Sequence, residues 1–304
     1  MTNRVLIFAN TPWEADALTA VFSNGQARPP TRDEPTRPLF DSYFFPSKLD
    51  ALPAVDMPGS AKPVYARLAY TNVEVWCVTD LTLGKYGSRE KANALKIVAD
   101  SRSAPKLVVA FGTAAYPDPH IYDGCVVVGS NVFNFDPKVD GLDPADQWID
   151  RSIGSLQDNS KQSINDNIFQ QLRGRLRLPI ESRFLSPPIS GVRAPFLLAS
   201  ASYVAVSDVN VAHVDDYAWA DRDAIQALTR DHPRSTPGSV ETTHGIIHAS
   251  VKSDQFLFVS AIANRLGYFN MEVAPRNYAQ DFAVAHNAAV ALAWLLPQIL
   301  ATLT

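Results

Sequence analysis

LVVAFGTAAYPDPHIYDGCVVVGSNVF, residues 107–133, is the stretch that decides the fold. It opens on an uninterrupted apolar run at 107–111, breaks at Gly112–Thr113, and resumes as a second apolar run at 125–128. Short apolar runs rich in β-branched residues, without polar alternation, read as strands buried on both faces. Gly112 gives a strand-to-loop turn the backbone freedom it needs.

Working outward, the runs at 5–9, 73–78, 203–206 and 256–263 read as further buried strands. Helical segments fall between them. One spans 12–21, where Thr11 is placed to N-cap, Pro12 takes the first helical position and Glu14 follows three residues after Thr11. A second, at 88–100, sets Ala92, Leu95, Ile97 and Val98 roughly on one face. Segments 221–229 and 243–250 suit two more. Residues 282–300 are rich in Ala and Leu but carry His286, Asn287 and Pro297. A membrane span needs about 20 nearly unbroken apolar residues, so this is expected to be a core-packed final helix. Strands alternating with helices predict an α/β sheet covered on both faces.

Two stretches break that rhythm and are expected to be insertions in one domain spanning 1–304. Residues 25–63 hold eight prolines, and residues 134–196 are long and polar. Loops of that length in compact domains serve as lids, interface arms or disordered segments. The net charge of −4 leaves no general basic face, which argues against nucleic acid and against an anionic membrane as partners. Cys77 and Cys125 both sit in apolar runs and read as buried, reduced thiols of a cytoplasmic protein. No cysteine or histidine spacing suggests a metal, and His244 and His248 read as structural because Gly245 breaks the zinc-helix pattern.

Five segments, in order, resemble successive stations of the nucleoside phosphorylase and nucleosidase superfamily. They are VLIFANTPWEADAL (5–18), LTLGKYGSREKANAL (81–95), the 107–133 stretch, SYVAVSDVNVAHVDD (202–216) and SVETTHGIIHASVKSDQFLFVSAIANRLG (239–267). The resemblance is to purine nucleoside phosphorylase and to methylthioadenosine/S-adenosylhomocysteine nucleosidase, and it covers about two-thirds of the chain. It implies a single α/β domain with a central mixed sheet flanked by helices. It further implies cleavage of the N-glycosidic bond of a purine-type nucleoside, by hydrolysis or phosphorolysis, without a cofactor. The implied partners are a small-molecule nucleoside, phosphate if the reaction is phosphorolytic, and further copies of the chain in a homo-oligomer. The rival reading is a non-catalytic nucleoside-binding or sensor domain on the same fold.

Breaking such a bond develops positive charge on the ribose and negative charge on the base, so the site must hold the sugar hydroxyls, orient a nucleophile and hydrogen-bond the base. By resemblance, Glu14 activates or orients water, Glu241 is a catalytic carboxylate standing at the first glutamate of the family's V-E-M-E segment, and Asn264 meets the base. Asn264 stands where relatives carry an aspartate, and it cannot act as an acid. Gly112 and Thr113 face sugar or phosphate, and Asp208, Asn210 and Val211 lie at the base. Thr242 and Thr243 stand at the ribose or phosphate position, Thr243 in place of a second glutamate. Ala110 replaces a phosphate-binding arginine of one phosphorolytic branch, which tilts the expectation toward hydrolysis. The plainer alternatives are a solvated glutamate stabilised by the helix dipole for Glu14, a strand-end cap for Asn264, and solvated surface roles for Lys85 and Arg89. Tyr268 and Phe269 are expected to pack, or to supply a ring where the family's stacking aromatic is missing.

Overall fold

A computed structural model describes residues 4–23, 64–67, 73–77, 85–100, 103–118, 123–135, 156–158, 178, 196–208, 217–253, 255–276 and 278–303. The elements in chain order are β1 (Val5–Ala9), α1 (Pro12–Ser23), β2 (Val64–Arg67), β3 (Val73–Cys77), α2 (Lys85–Asp100) and β4 (Leu107–Tyr116). There follow β5 (Val126–Gly129), β6 (Asn131–Phe135), β7 (Leu156–Asp158), β8 (Leu197–Ala199), β9 (Tyr203–Asp208) and α3 (Tyr217–Asp231). The chain closes with β10 (Thr236–Glu241), α4 (His244–Ser250), β11 (Gln255–Arg265), α5 (Phe269–Glu272) and α6 (Tyr278–Leu300). The strands form one mixed sheet in which β2-β3-β1-β4-β10-β9-β6-β7 lie side by side, with β11 between β4 and β5, and β8 beyond β5.

Alternate residues of the central strands feed opposite layers, as the period of a strand requires. Val5, Ile7, Val109, Phe111, Leu257 and Val259 pack with α1 and α6 on one face. Leu6, Phe8, Val108, Ala110, Phe256 and Phe258 pack with α2 and α4 on the other. A third cluster joins Phe133, Val204 and Val206 to Ala224 and Leu228 of α3. The expected α/β domain with a central mixed sheet flanked by helices is therefore found. The last helix is long and apolar enough to cross a membrane by length and composition, yet 81% of its most apolar window is buried within the protein. It is a core helix, as expected. Both cysteines are buried, and burial pushes the Cys125 thiol up to about 12.

Strand β4 positions the site. The expected turn at Gly112 is absent, because the strand runs on to Tyr116. β11 occupies one edge of β4 along its whole length. The other edge is shared: β1 pairs in parallel with 107–111, and β10 meets it antiparallel at Val240↔Ala115. The carboxyl ends of β1 and β10 therefore face each other across Gly112–Thr113. Open α/β sheets bind ligands in such a crevice, where the strand arrangement switches.

Strands β2, β6, β7, β8 and β10 were not expected from the sequence. β10 was obscured by Pro237–Gly238, which reads as a turn; the pairing of β10 with β9 shifts register there. Residues 24–63 lie outside the described residues. Of 134–196, the described part includes the end of β6, all of β7, Leu178 and Phe196.

Candidate active site

Thr11 and Glu14 form half of the expected capping box. Glu14 Oε2 accepts from the amides of Asn10 (2.8 Å) and Thr11 (3.0 Å) at the turn between β1 and α1. The reciprocal bond is not made, and Thr11 Oγ1 is buried without a hydrogen-bond partner. Glu14 Oε1 instead accepts from the amide (2.7 Å) and hydroxyl (2.9 Å) of Thr113. Glu14 is buried, and loss of water pushes its carboxyl up while these four donors pull it down.

Glu241 closes the crevice from the opposite side, at the end of β10. Its Oε2 accepts from the amides of Thr243 and His244 (2.6 Å), satisfying donors that a helix start leaves open. Its Oε1 is buried and accepts no hydrogen bond, although His244 Nδ1 stands 3.7 Å away. His244 also approaches Ser260 Oγ at 3.4 Å, and burial holds its ring below the usual histidine range despite Glu241. Gly112 separates the two glutamates: a methyl there would lie 3.1 Å from His244 Nε2 and 3.5 Å from Glu14 Oε1.

The crevice is a cavity of about 420 Å³, a size suited to a nucleoside-sized ligand. Its polar wall includes Asn10, Thr11, Thr113, Asp221, Glu241, Thr242 and Asn264, and its apolar wall includes Trp13, Ala114, Ala115 and Phe269. Asn264 follows a register shift in β11 at Ala263, and bulges of this kind re-aim side chains. Its Nδ2 donates to Arg265 O at 2.8 Å. At the far end Arg276 lines the cavity and forms a buried pair with Asp123 at 3.0 Å. Burial raises the Asp123 carboxyl to about 7 even against Arg276. Asp281, also on the wall, is raised to about 6 by burial, with Arg276 opposing.

The residues expected at the site thus divide. Thr113, Glu241, Thr242 and Asn264 stand together on the cavity wall. Glu14, Gly112, Asp208 and Thr243 are not on it. Glu14 sits behind Thr113 with both oxygens engaged, a cap rather than a solvated glutamate, and Gly112 spaces Glu14 from His244. Thr243 is the residue before α4, its amide held by Glu241. Asp208 is fully buried at the end of β9 and faces Asp221. Asn210 and Val211 fall outside the described residues. Phe269 lines the cavity, while Tyr268 lies under the Arg265 guanidinium, 4.0 Å from its ring centre. His248 packs edge-on against Phe256, in keeping with a structural role.

Asp221 was missed. A carboxylate early in a helix with Arg222 and Asp223 beside it looks like a solvated face, and nothing in its sequence neighbourhood distinguishes it. Thr11 was read only as a cap; the aromatic wall from Trp13 had no signal beyond composition.

Comparison with known proteins places this geometry. No protein-family model and no curated protein matches the chain. Solved structures do. The 5′-methylthioadenosine/S-adenosylhomocysteine nucleosidase of Neisseria meningitidis, in complex with methylthio-immucillin-A, is similar with a TM-score of 0.51 at 12% identity, over 98% of this chain and 100% of that one. The corresponding Campylobacter jejuni nucleosidase gives 0.50 at 10% identity, over 98% and 99%. The futalosine hydrolase of Helicobacter pylori gives 0.50 at 11% identity, over 97% and 98%. At such identities the likeness shows the fold alone, the α/β arrangement that these three solved structures share with this chain.

Proposed function

We propose that this chain hydrolyses the N-glycosidic bond of a purine-type ribonucleoside. The observation that carries the reading is Glu241, a carboxylate lining the cavity whose Oε1 is buried with no hydrogen-bond partner among the described residues. An unpaired buried acceptor is costly, and ribose hydroxyls would satisfy it. The same charge would stabilise a ribose that turns cationic as the bond breaks. Thr11 Oγ1, also buried and unpartnered on the wall, offers the ligand a second contact.

Water rather than phosphate is supported by charge. Among the described residues of the wall, Arg276 is the one cation and it is paired with Asp123, whereas Asp221, Glu241 and Asp281 are acidic. A phosphate dianion entering such a cavity meets repulsion. Ala110, fully buried in β4, supplies no charge either. With Nδ2 committed to Arg265 O, Asn264 offers the base an acceptor. That suits a ring N–H such as the one 6-oxopurines carry at N1. Glu14 takes a positioning role in this scheme, holding Thr113 and the turn after β1.

The alternative is a nucleoside-binding or sensor domain, favoured by one observation: Glu14 has both oxygens engaged and does not reach the wall. Incubation with a panel of purine nucleosides, with and without phosphate, separates the readings. Release of free base without phosphate is the expected result. Binding without release from any member of the panel would establish the sensor instead.

A further inference from the structure

We propose that Asp221 is the acid that protonates the leaving base, a catalytic residue doing from α3 what Asn264 cannot do from β11. The inference rests on the hydrolytic reading above and asks where its proton comes from. A purine departs poorly as an anion, so cleavage needs a proton delivered to a ring nitrogen. Asn264 has none to give.

Three carboxyls line the cavity among the described residues: Asp221, Glu241 and Asp281. Glu241 commits one oxygen to the Thr243 and His244 amides. Asp281 lies toward Arg276. Asp221 is placed differently. It is buried, and its carboxyl faces the fully buried carboxyl of Asp208. Glu241 adds a third negative charge to the same corner. Acids crowded together without water resist ionisation, so Asp208 keeps its own proton at neutral pH and Asp221 carries a second one that it can give up.

The two acids then divide the work by position. Asp208 is sealed behind the wall, and Asp221 is on it. As the bond between C1′ and the base nitrogen breaks, its electron pair goes to the base, and a proton passes from an Asp221 oxygen to that nitrogen. The Asp221 carboxylate left behind is held by the Gly267 amide, by the proton on Asp208 and by the charge of Arg222. The water that adds to C1′ releases a proton, which returns to the pair, so the enzyme ends as it began. Burial, with the charge of Glu241, pushes Asp221 up to about 7 against the hydrogen bond from Asp208, where an acid is both protonated and able to donate.

The test compares guanosine and adenosine with 7-methylguanosine, whose base already carries positive charge and leaves without an acid. D221N should lower kcat about 100- to 10,000-fold on the first two and less than tenfold on the third. N264D in the D221N chain should restore at least tenfold by putting an acid back on the same wall. Equal losses on all three nucleosides, or no rescue, would overturn the assignment while leaving hydrolysis standing. Release of no base by the wild type would overturn the hydrolytic reading itself. D208A gives a second readout if D221N folds poorly. It removes the donor that holds Asp221 down, so the alkaline limb of kcat against pH should move to higher pH. A limb that stays in place would also overturn the proposal. Among the described residues, the charged and titratable groups facing Asp221 are Asp208, Glu241 and Arg222.

Discussion

Thr113 donates to a single oxygen of Glu14 twice, from its amide at 2.7 Å and its hydroxyl at 2.9 Å, although 99 residues separate the two. This contact ties the turn after β1 to the middle of β4. Thr113→Val keeps the shape and the amide but removes the hydroxyl. Stability should fall by about 1–2 kcal/mol. Because burial raises Glu14, the folded state holds a proton there that the unfolded chain releases, and stability declines as pH rises from the unfolded pKa toward the folded one. Losing a donor extends that decline. The variant's deficit in urea unfolding should therefore be larger at pH 8 than at pH 5, and an equal deficit at both would show that Glu14 does not ionise in this range.

Glu241 uses one oxygen for the protein and leaves the other for a ligand. Glu241→Gln can keep its carbonyl oxygen on the Thr243 and His244 amides and turn its amide group to the cavity, so the fold should lose less than about 1 kcal/mol. The charge is gone from the ribose position. A hydrogen bond to a charged group contributes about 1.5–3 kcal/mol, or roughly 10- to 100-fold in affinity. Calorimetric titration should show that loss for a ribonucleoside and little loss for its 2′,3′-dideoxy analogue. Comparable losses for both ligands would mean that Glu241 does not hold the hydroxyls.

The sheet was legible because its central strands are buried on both faces, which forces runs such as VLIFA and LVVAF that no other element explains. The second half of β4 was not, since Gly112, Thr113, Ala114 and Ala115 lack strand character. They are in the strand because β11 pairs with them, and Ala114 and Ala115 also line the cavity. Asn264 could be found as a polar residue at the end of the apolar run 256–263, and Glu241 only through the resemblance of its segment to a family motif. Asp221 could not, because its environment comes from β9, β10 and the turn at Gly267, all distant in sequence. Glu14 was read correctly as a helix-start glutamate, but its two further donors from Thr113 depend on β4 running through the expected turn.

The Asp208–Asp221 pair also sets a pH dependence of stability. Both acids are raised by burial and by Glu241, Asp221 to about 7, and Asp208, which Asp221 also raises, well above the usual carboxylate range. Between the unfolded pKa near 3.8 and these folded values the native state binds more protons than the unfolded chain, so stability is highest at the acid end and falls as pH rises. The slope is about 1.4 kcal/mol per pH unit for each proton involved. Asp208→Asn removes one such acid and gives Asp221 a permanent donor. The variant should lose less stability than the wild type between pH 5 and pH 8. Parallel curves for the two proteins would show that Asp208 is already ionised in the fold.

Gly245 lies where α4 passes closest to the sheet. Its amide donates to Ser207 Oγ at 3.0 Å, and a methyl on its Cα would come to 1.7 Å from Asn134 Oδ1 and 2.7 Å from Ser207 Cβ. Neither neighbour can yield easily, because Asn134 is in β6, Ser207 is in β9, and those strands pair at this level, Asn134↔Ser207. Gly245→Ala must therefore push α4 outward, and overpacking of this kind costs about 1–3 kcal/mol or more. The displacement also reaches the site, since His244 and the amides that hold Glu241 are at the start of the same helix. The variant should lose about 3 kcal/mol in urea unfolding and bind nucleoside more weakly. Asn134→Ala in the same chain removes the nearest obstacle and should recover part of both losses. If the double variant is no better than Gly245→Ala alone, the glycine is required by something other than this contact.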